Sequence, residues 1–173
     1  GYGLATNLED LWGTEYYSDA SSTKEILFAR RTASSSSFEG YNFPVGYSSG
    51  QGGNCPTQDL VDAFECTDGK SIAESSLYDA TNPYANRDPR LNKTVALNGE
   101  KWPNDLADYN SEHPTIETYT GGYHSRTGNA AGKAYATTTG YYLKKFCNAD
   151  QILRGRSGTA ATTSPHGWLT FRM

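Results

Sequence analysis

The sequence predicts one loop-rich domain of mixed α+β type over residues 1–173, built from short helices and few short strands. Three observations lead there. A chain of 173 residues suits a single core. Hydrophobic residues make up only 36% of it and the mean hydropathy is −0.69, which is thin for a tight aliphatic interior. Eighteen glycines interrupt regular structure, and much of the apolar content is tyrosine, with 13 copies. Each tyrosine hydroxyl needs a partner when buried.

The elements follow in order. Leu8, Leu11 and Trp12 suggest a short amphipathic helix with Asn7 as its N-cap. Residues 18–24 are a turn-rich break before the apolar run Ile26-Leu27-Phe28-Ala29. Residues 34–53 read as a long loop with four consecutive serines and with Tyr41, Phe43 and Tyr47 set among glycines. Loops of that length tend to be functional or disordered. A helix is expected over 57–65, with Thr57 as N-cap and Leu60, Val61 and Phe64 facing inward. Asp68-Gly69 is a turn. Leu91, Val95 and Leu97 read as a strand closed by the turn pair Asn98-Gly99. Residues 100–139 are largely irregular, and Tyr141, Leu143 and Lys145 alternate with Tyr142, Lys144 and Phe146 as a strand would. A Gly/Thr/Ala/Ser loop covers 157–164. Trp168, Leu169 and Phe171 then form an apolar pattern with no cap or terminator, which suggests an exposed patch where further helices pack. No internal repeat is present.

The run Asn82-Pro83-Tyr84-Ala85-Asn86-Arg87-Asp88-Pro89-Arg90 is the most informative in the chain. Its prolines fix φ and push Asn82 and Asp88 toward extended backbone. Asn86 and Asp88 can bond their own backbone, and Arg87 and Arg90 bring forked donors for a carboxylate or carbonyl. A rigid hydrogen-bonded corner follows. The run resembles the signature of the SusD/RagB family, surface glycan-capture lipoproteins of Bacteroidetes. Three further stretches are similar to that family and occur in its order: Glu25-Ile26-Leu27-Phe28-Ala29, Pro56-Thr57-Gln58-Asp59-Leu60-Val61-Asp62-Ala63-Phe64-Glu65 with Asp68-Gly69, and Thr139-Gly140-Tyr141-Tyr142-Leu143-Lys144-Lys145-Phe146.

Several functions are excluded or disfavoured. The formal charge is −4 and the basic residues are scattered apart from pairs such as Arg30-Arg31 and Lys144-Lys145. Nucleic acid needs a basic face, so it is set aside as a partner. No apolar run approaches the roughly 20 residues of a membrane span. Cys55, Cys66 and Cys147 are an odd count and imply no disulfide framework. Cys55 and Cys66 flank a helix about 13 Å long, too far for a bridge that wants Cα atoms within about 7 Å. No G-x-S-x-G elbow exists, and His113, His124 and His166 match no zinc spacing, so they read as loop histidines with local hydrogen bonds. Asp59, Asp62 and Glu65 share one helix face and read as a solvated acidic face, not a catalytic pair. Glu112 and Glu117 carry no distinguishing pattern. The sequence therefore reads as non-catalytic.

The positive signal is aromatic. Flat rings stack on the apolar faces of pyranoses, and loops carry binding residues on a rigid frame. Trp102 is the leading candidate, expected at a turn tip between Asn98-Gly99 and Pro103. Tyr41, Phe43 and Tyr47 come next, then Tyr119 and Tyr123 beside Gly121-Gly122. Taken singly, each ring reads more readily as a partly buried packing residue; together they are the candidate ligand-binding set. Arg87, Asp88 and Arg90 read as structural, since ion-pair networks mimic active sites, with Tyr84 packed beneath the same corner.

The resemblance implies a SusD-like fold whose all-α, TPR-like scaffold is largely absent from this stretch. It implies non-catalytic capture of an oligosaccharide at the extracellular face of the outer membrane and delivery to a SusC-like TonB-dependent transporter. It also implies a lipidated N-terminus upstream as membrane anchor, and no metal or organic cofactor, with a calcium ion in the loops left open. The alternatives are peptide cargo in a deep cleft, a transporter-docking module without its own ligand, and a carbohydrate-active enzyme.

Overall fold

The computed structural model describes residues 3, 4, 6, 25, 37–47, 50–102 and 112–147. The expected helix at 8–12, the apolar run 26–29, the loop 157–164 and the apolar pattern at 168–173 lie outside the described residues. Helix α1 spans Ser37–Asn42, α2 Gln58–Ala63 and α3 Arg90–Thr94; β1 is Val95–Ala96, β2 is Tyr142–Leu143, and a 3-10 turn covers Lys133–Tyr135. The described fold is thus loop-rich with short helices and strands, as the composition predicts.

The two strands pair antiparallel, Val95 opposite Leu143 and Ala96 opposite Tyr142. Successive side chains on a strand point to opposite faces, and this ribbon divides two cores. Ala96 and Tyr142 enter one with Phe43, Val45, Tyr47, Trp102, Ile116, Ala130 and Ala136. Val95 and Tyr141 enter the other with Val61, Leu91 and Leu97, and Phe64 and Tyr84 pack against it. Rings fill the larger core because the chain has few aliphatic residues to do so. Strand β2 stops after Leu143: the Lys144 and Lys145 N–H groups both donate to the Thr94 carbonyl at 3.1 Å, and Phe146 turns to a φ of 68°.

Two elements differ from expectation. Leu91 belongs to α3, not to a strand. Pro89 sits where its missing N–H costs nothing, and the carboxylate of Asp88 accepts the Arg90 N–H at 2.8 Å. The four-residue spacing of Leu91 and Val95 then puts both in the second core. The long serine-rich segment contains helix α1, whose buried residues are Glu39 and Asn42; a helix that buries polar side chains leaves no apolar period to read. Helix α2 starts at Thr57, whose Oγ1 accepts the Leu60 N–H at 3.3 Å. It buries only Val61, while Leu60 is 44% exposed. Asp59 and Glu65 are exposed and Asp62 accepts from Gln58 at 2.8 Å, a solvated acidic face. Cys55, Cys66 and Cys147 are free thiols.

The signature corner braces the end of α2. Arg87 is buried, and its Nη2 donates to the carbonyls of Val61 at 2.6 Å and Phe64 at 2.8 Å. Its Nη1 donates to the Pro83 carbonyl at 2.9 Å. The Val61 and Phe64 carbonyls lie at the C-terminal end of α2, where helical partners run out, so the guanidinium caps the helix from 26 residues away. Cys66 and Arg87 form an antiparallel bridge, flanked by Thr67 N–H to the Asn86 carbonyl and Asp88 N–H to the Glu65 carbonyl, both 2.8 Å. Asn86 takes a left-handed φ of 56° and its Nδ2 reaches the Leu77 carbonyl at 3.1 Å. Asp88 and Arg90 form an ion pair on the outside of the corner, and the hydrogen bond from Arg90 holds the Asp88 carboxyl below the usual range. Tyr84 packs on the second core, where its hydroxyl meets that of Tyr141, which donates to Gln58 Oε1 at 2.7 Å.

Candidate functional site

Three of the six candidate rings are core residues. Trp102 is 1% exposed, Phe43 0% and Tyr47 2%. They pack on one another, Phe43 edge-on to Trp102 with centroids 5.1 Å apart and Tyr47 stacked on Trp102 at 6.0 Å. Trp102 is not at a turn tip because the segment after Asn98-Gly99 folds back onto 115–116. Gly99 N–H donates to the Ile116 carbonyl at 2.7 Å, Ile116 N–H donates to the Glu100 carbonyl at 2.8 Å, and Lys101 bridges Thr115. The next side chain therefore turns inward beside Ile116. Buried rings offer no face to a sugar, and the expectation for Trp102, Phe43 and Tyr47 is corrected accordingly.

Tyr123 is half-buried, stacked on His113 with ring centroids 3.9 Å apart and planes within 11°. Beneath it lies a cluster that the sequence pattern did not disclose. His124 is wholly buried and stacks on Tyr47 at 4.8 Å. Its Nδ1 accepts the Glu117 N–H at 3.1 Å, which fixes the proton on Nε2. Glu117 in turn accepts from His113 Nδ1 and from the Tyr123 N–H, each at 3.1 Å. Burial pushes the Glu117 carboxyl up, but these hydrogen bonds outweigh it and leave the group below its ordinary value. A carboxylate held ionised by two donors is a poor general acid at neutral pH. The cluster is a brace for the 117–124 loop, closed by His124 N–H to the Glu117 carbonyl at 3.0 Å. Its hydrogen bonds span only four to seven residues within an irregular segment, and His113, Glu117 and His124 match no metal or catalytic motif that would announce it.

Burial depresses the His124 pKa from 6.5 to about 4. A histidine that binds its proton less readily folded than unfolded costs stability as pH falls. The contribution is intact above pH 6.5 and is lost progressively toward pH 4, by about 3 kcal/mol in all. Thermal melts across that window are expected to show this slope in the wild type and a flatter one in His124→Gln. Parallel curves would show that His124 is not the titrating group.

Two of the six candidates stand in solvent, Tyr41 at 44% and Tyr119 at 58% exposure, and a third ring absent from the set, Tyr135, reaches 65%. Tyr119 sits on a loop closed by Gly122 N–H to its carbonyl at 2.8 Å and by Gly121 N–H to Thr127 Oγ1 at 2.7 Å. Tyr41 lies against the bare backbone of Gly53, where a Cβ would come within 2.1 Å of its Cε1, and its carbonyl accepts the Gly53 N–H at 2.7 Å. Tyr135 closes the 3-10 turn that begins after Gly132, at a φ of 80°. Arg126 holds that turn from both sides, Nε donating to the Ala136 carbonyl at 3.1 Å and Nη2 to the Ala134 carbonyl at 3.5 Å. An exposed tyrosine among small residues, Ala134 and Ala136, was the sequence signal available for it. Among the described residues no group of three His, Cys, Asp or Glu side chains is placed to hold a metal.

The SusD family model matches residues 9–173. The chain belongs to the SusD family. No curated protein matches it. Among solved structures it is similar to a SusD-like protein from Bacteroides fragilis NCTC 9343, with a TM-score of 0.64 and 22% identity over 95% of this chain. The chain spans 33% of that protein's length. In this SusD-family chain the signature run therefore serves the fold: Arg87 caps α2, and Asp88 and Arg90 pair with each other. The exposed tyrosines lie outside it, Tyr41 on helix α1, Tyr119 on a loop and Tyr135 on the 3-10 turn.

Proposed function

We propose that this chain is part of a surface nutrient-binding protein that captures an oligosaccharide without cleaving it. The observation that carries this is the division of rings in a SusD-family chain: Trp102, Phe43 and Tyr47 fill the core, whereas Tyr41 on helix α1, Tyr119 on a loop and Tyr135 on the 3-10 turn face solvent. Rigid, exposed rings give a sugar face contact area at little entropic cost. The captured glycan passes to a SusC-like TonB-dependent transporter, and the protein sits at the outer face of the outer membrane on a lipidated N-terminus. The remaining length includes the TPR-like helical scaffold against which this loop-rich segment packs. Weak single contacts gain from assembly with the transporter, because linked binding raises effective concentration.

A second reading, a transporter-docking surface without its own ligand, draws on an open depression of about 340 Å³ lined by Leu60, Ala63, Phe64, Glu65 and Arg90. Isothermal titration of the full-length protein against a panel of host, plant and microbial glycans separates the two. Capture gives binding to at least one glycan, chromatographically unchanged afterwards. Alanine at the tyrosine of the occupied surface weakens it roughly tenfold. Silence across the panel favours docking alone, and shortened product would mean an enzyme.

A further inference from the structure

Tyr41 and Tyr135 meet at two consecutive glycines. A side chain at Gly53 would collide with the Tyr41 ring, and one at Gly52 would come within 2.9 Å of the Tyr135 carbonyl oxygen. The Tyr41 ring and the Tyr135 backbone thus both lie against the Gly52-Gly53 segment. Two cations accompany Tyr135. Arg126 spans the carbonyls on either side of it, and because those acceptors are neutral the guanidinium keeps its full charge. Lys133 opens the same 3-10 turn, and both cations are exposed. Neither forms an ion pair with any described residue. Elsewhere Arg90, Lys144 and His113 each have a carboxylate partner, in a chain whose net charge is −4. Two exposed cations with no ion-pair partner among the described residues thus share the turn of Tyr135, the most exposed large ring among those residues.

We propose that the Tyr41–Tyr135 surface takes an acidic glycan, one bearing carboxylate or sulfate groups, with Lys133 and Arg126 meeting the acid. The inference rests on glycan capture as proposed above and specifies its substrate class. The tyrosine faces supply contact that any pyranose can use. The cations supply charge-assisted hydrogen bonds that only the ionised substituent repays, and at an exposed site these weaken as salt rises. Lys133 acts as a point charge, while Arg126 both positions Tyr135 and faces the ligand with its remaining N–H donors.

The test is isothermal titration of the full-length protein with two matched pairs, polygalacturonate oligomers against their fully methyl-esterified form and dextran sulfate against dextran, at low and high salt. The acidic member of at least one pair is expected to bind about tenfold more tightly, with the preference shrinking at high salt. The pair that shows it distinguishes carboxylate from sulfate. Lys133→Gln should remove most of the preference for the acidic member, whereas Tyr135→Ala should weaken binding of both members. Equal affinity within both pairs, binding of neutral glycans only, or a preference unaltered by Lys133→Gln overturns the acidic assignment and leaves glycan capture standing. Absence of binding to these and to every glycan of the wider panel overturns both.

Discussion

Arg87→Met is expected to lower the unfolding free energy by about 3 kcal/mol. Methionine keeps an apolar stem of similar reach but removes the fork that serves three carbonyls. Val61 would retain the Phe64 N–H at 3.3 Å, so the loss falls mainly on the carbonyls of Phe64 and Pro83. The end of α2 and the bridge between Cys66 and Arg87 would loosen together. Arg87→Lys should recover only part of this, because an ammonium is a point donor and cannot span positions that the planar guanidinium bridges. Urea unfolding provides the measurement, with the midpoint shifted and the slope preserved. A change below about 1 kcal/mol, the worth of an ordinary hydrogen bond, would mean that the corner is held by something other than Arg87.

The corner was legible in the sequence because its information is local. Proline, asparagine and arginine each carry a conformational or hydrogen-bonding rule, and the cap at Thr57 and the glycine turns at Gly69 and Gly99, with φ of 74° and 82°, follow the same logic. Other parts were hidden for physical reasons. Leu91 and Val95 are four apart, a spacing compatible with a helical turn as well as with a strand, and Pro89 was the deciding signal. Helix α1 buries Glu39 and Asn42, so no apolar stripe announces it. On the site side, a turn next to a tryptophan says that the backbone reverses, not which way the ring faces. That direction was set by pairing of 99–101 with 115–116, a contact between distant segments. The burial of His124 likewise depends on a distant segment, since its ring stacks on Tyr47, whereas its link to Glu117 is local, seven residues apart.

Trp102→Ala is expected to cost about 3–5 kcal/mol, the range for truncating a large ring in a packed core. The cavity would open between Phe43 and Tyr47, both of which contact the indole, and neither can relax far because each is buried in its own right. Trp102→Phe should recover much of the stability. Its glycan affinity should equal that of the wild type, since position 102 presents nothing to solvent. This pair of variants separates core from site. Thermal melts report the first effect and titration the second. A stable Trp102→Ala protein that has lost glycan binding would return Trp102 to the ligand surface.

The most direct measurement is a crystal structure of the protein with a captured oligosaccharide. The expected result is an intact sugar stacked on at least one of Tyr41, Tyr119 and Tyr135, with Trp102, Phe43 and Tyr47 still enclosed. A saccharide that touches none of the three exposed tyrosines, or one found cleaved beside a carboxyl pair, would contradict it.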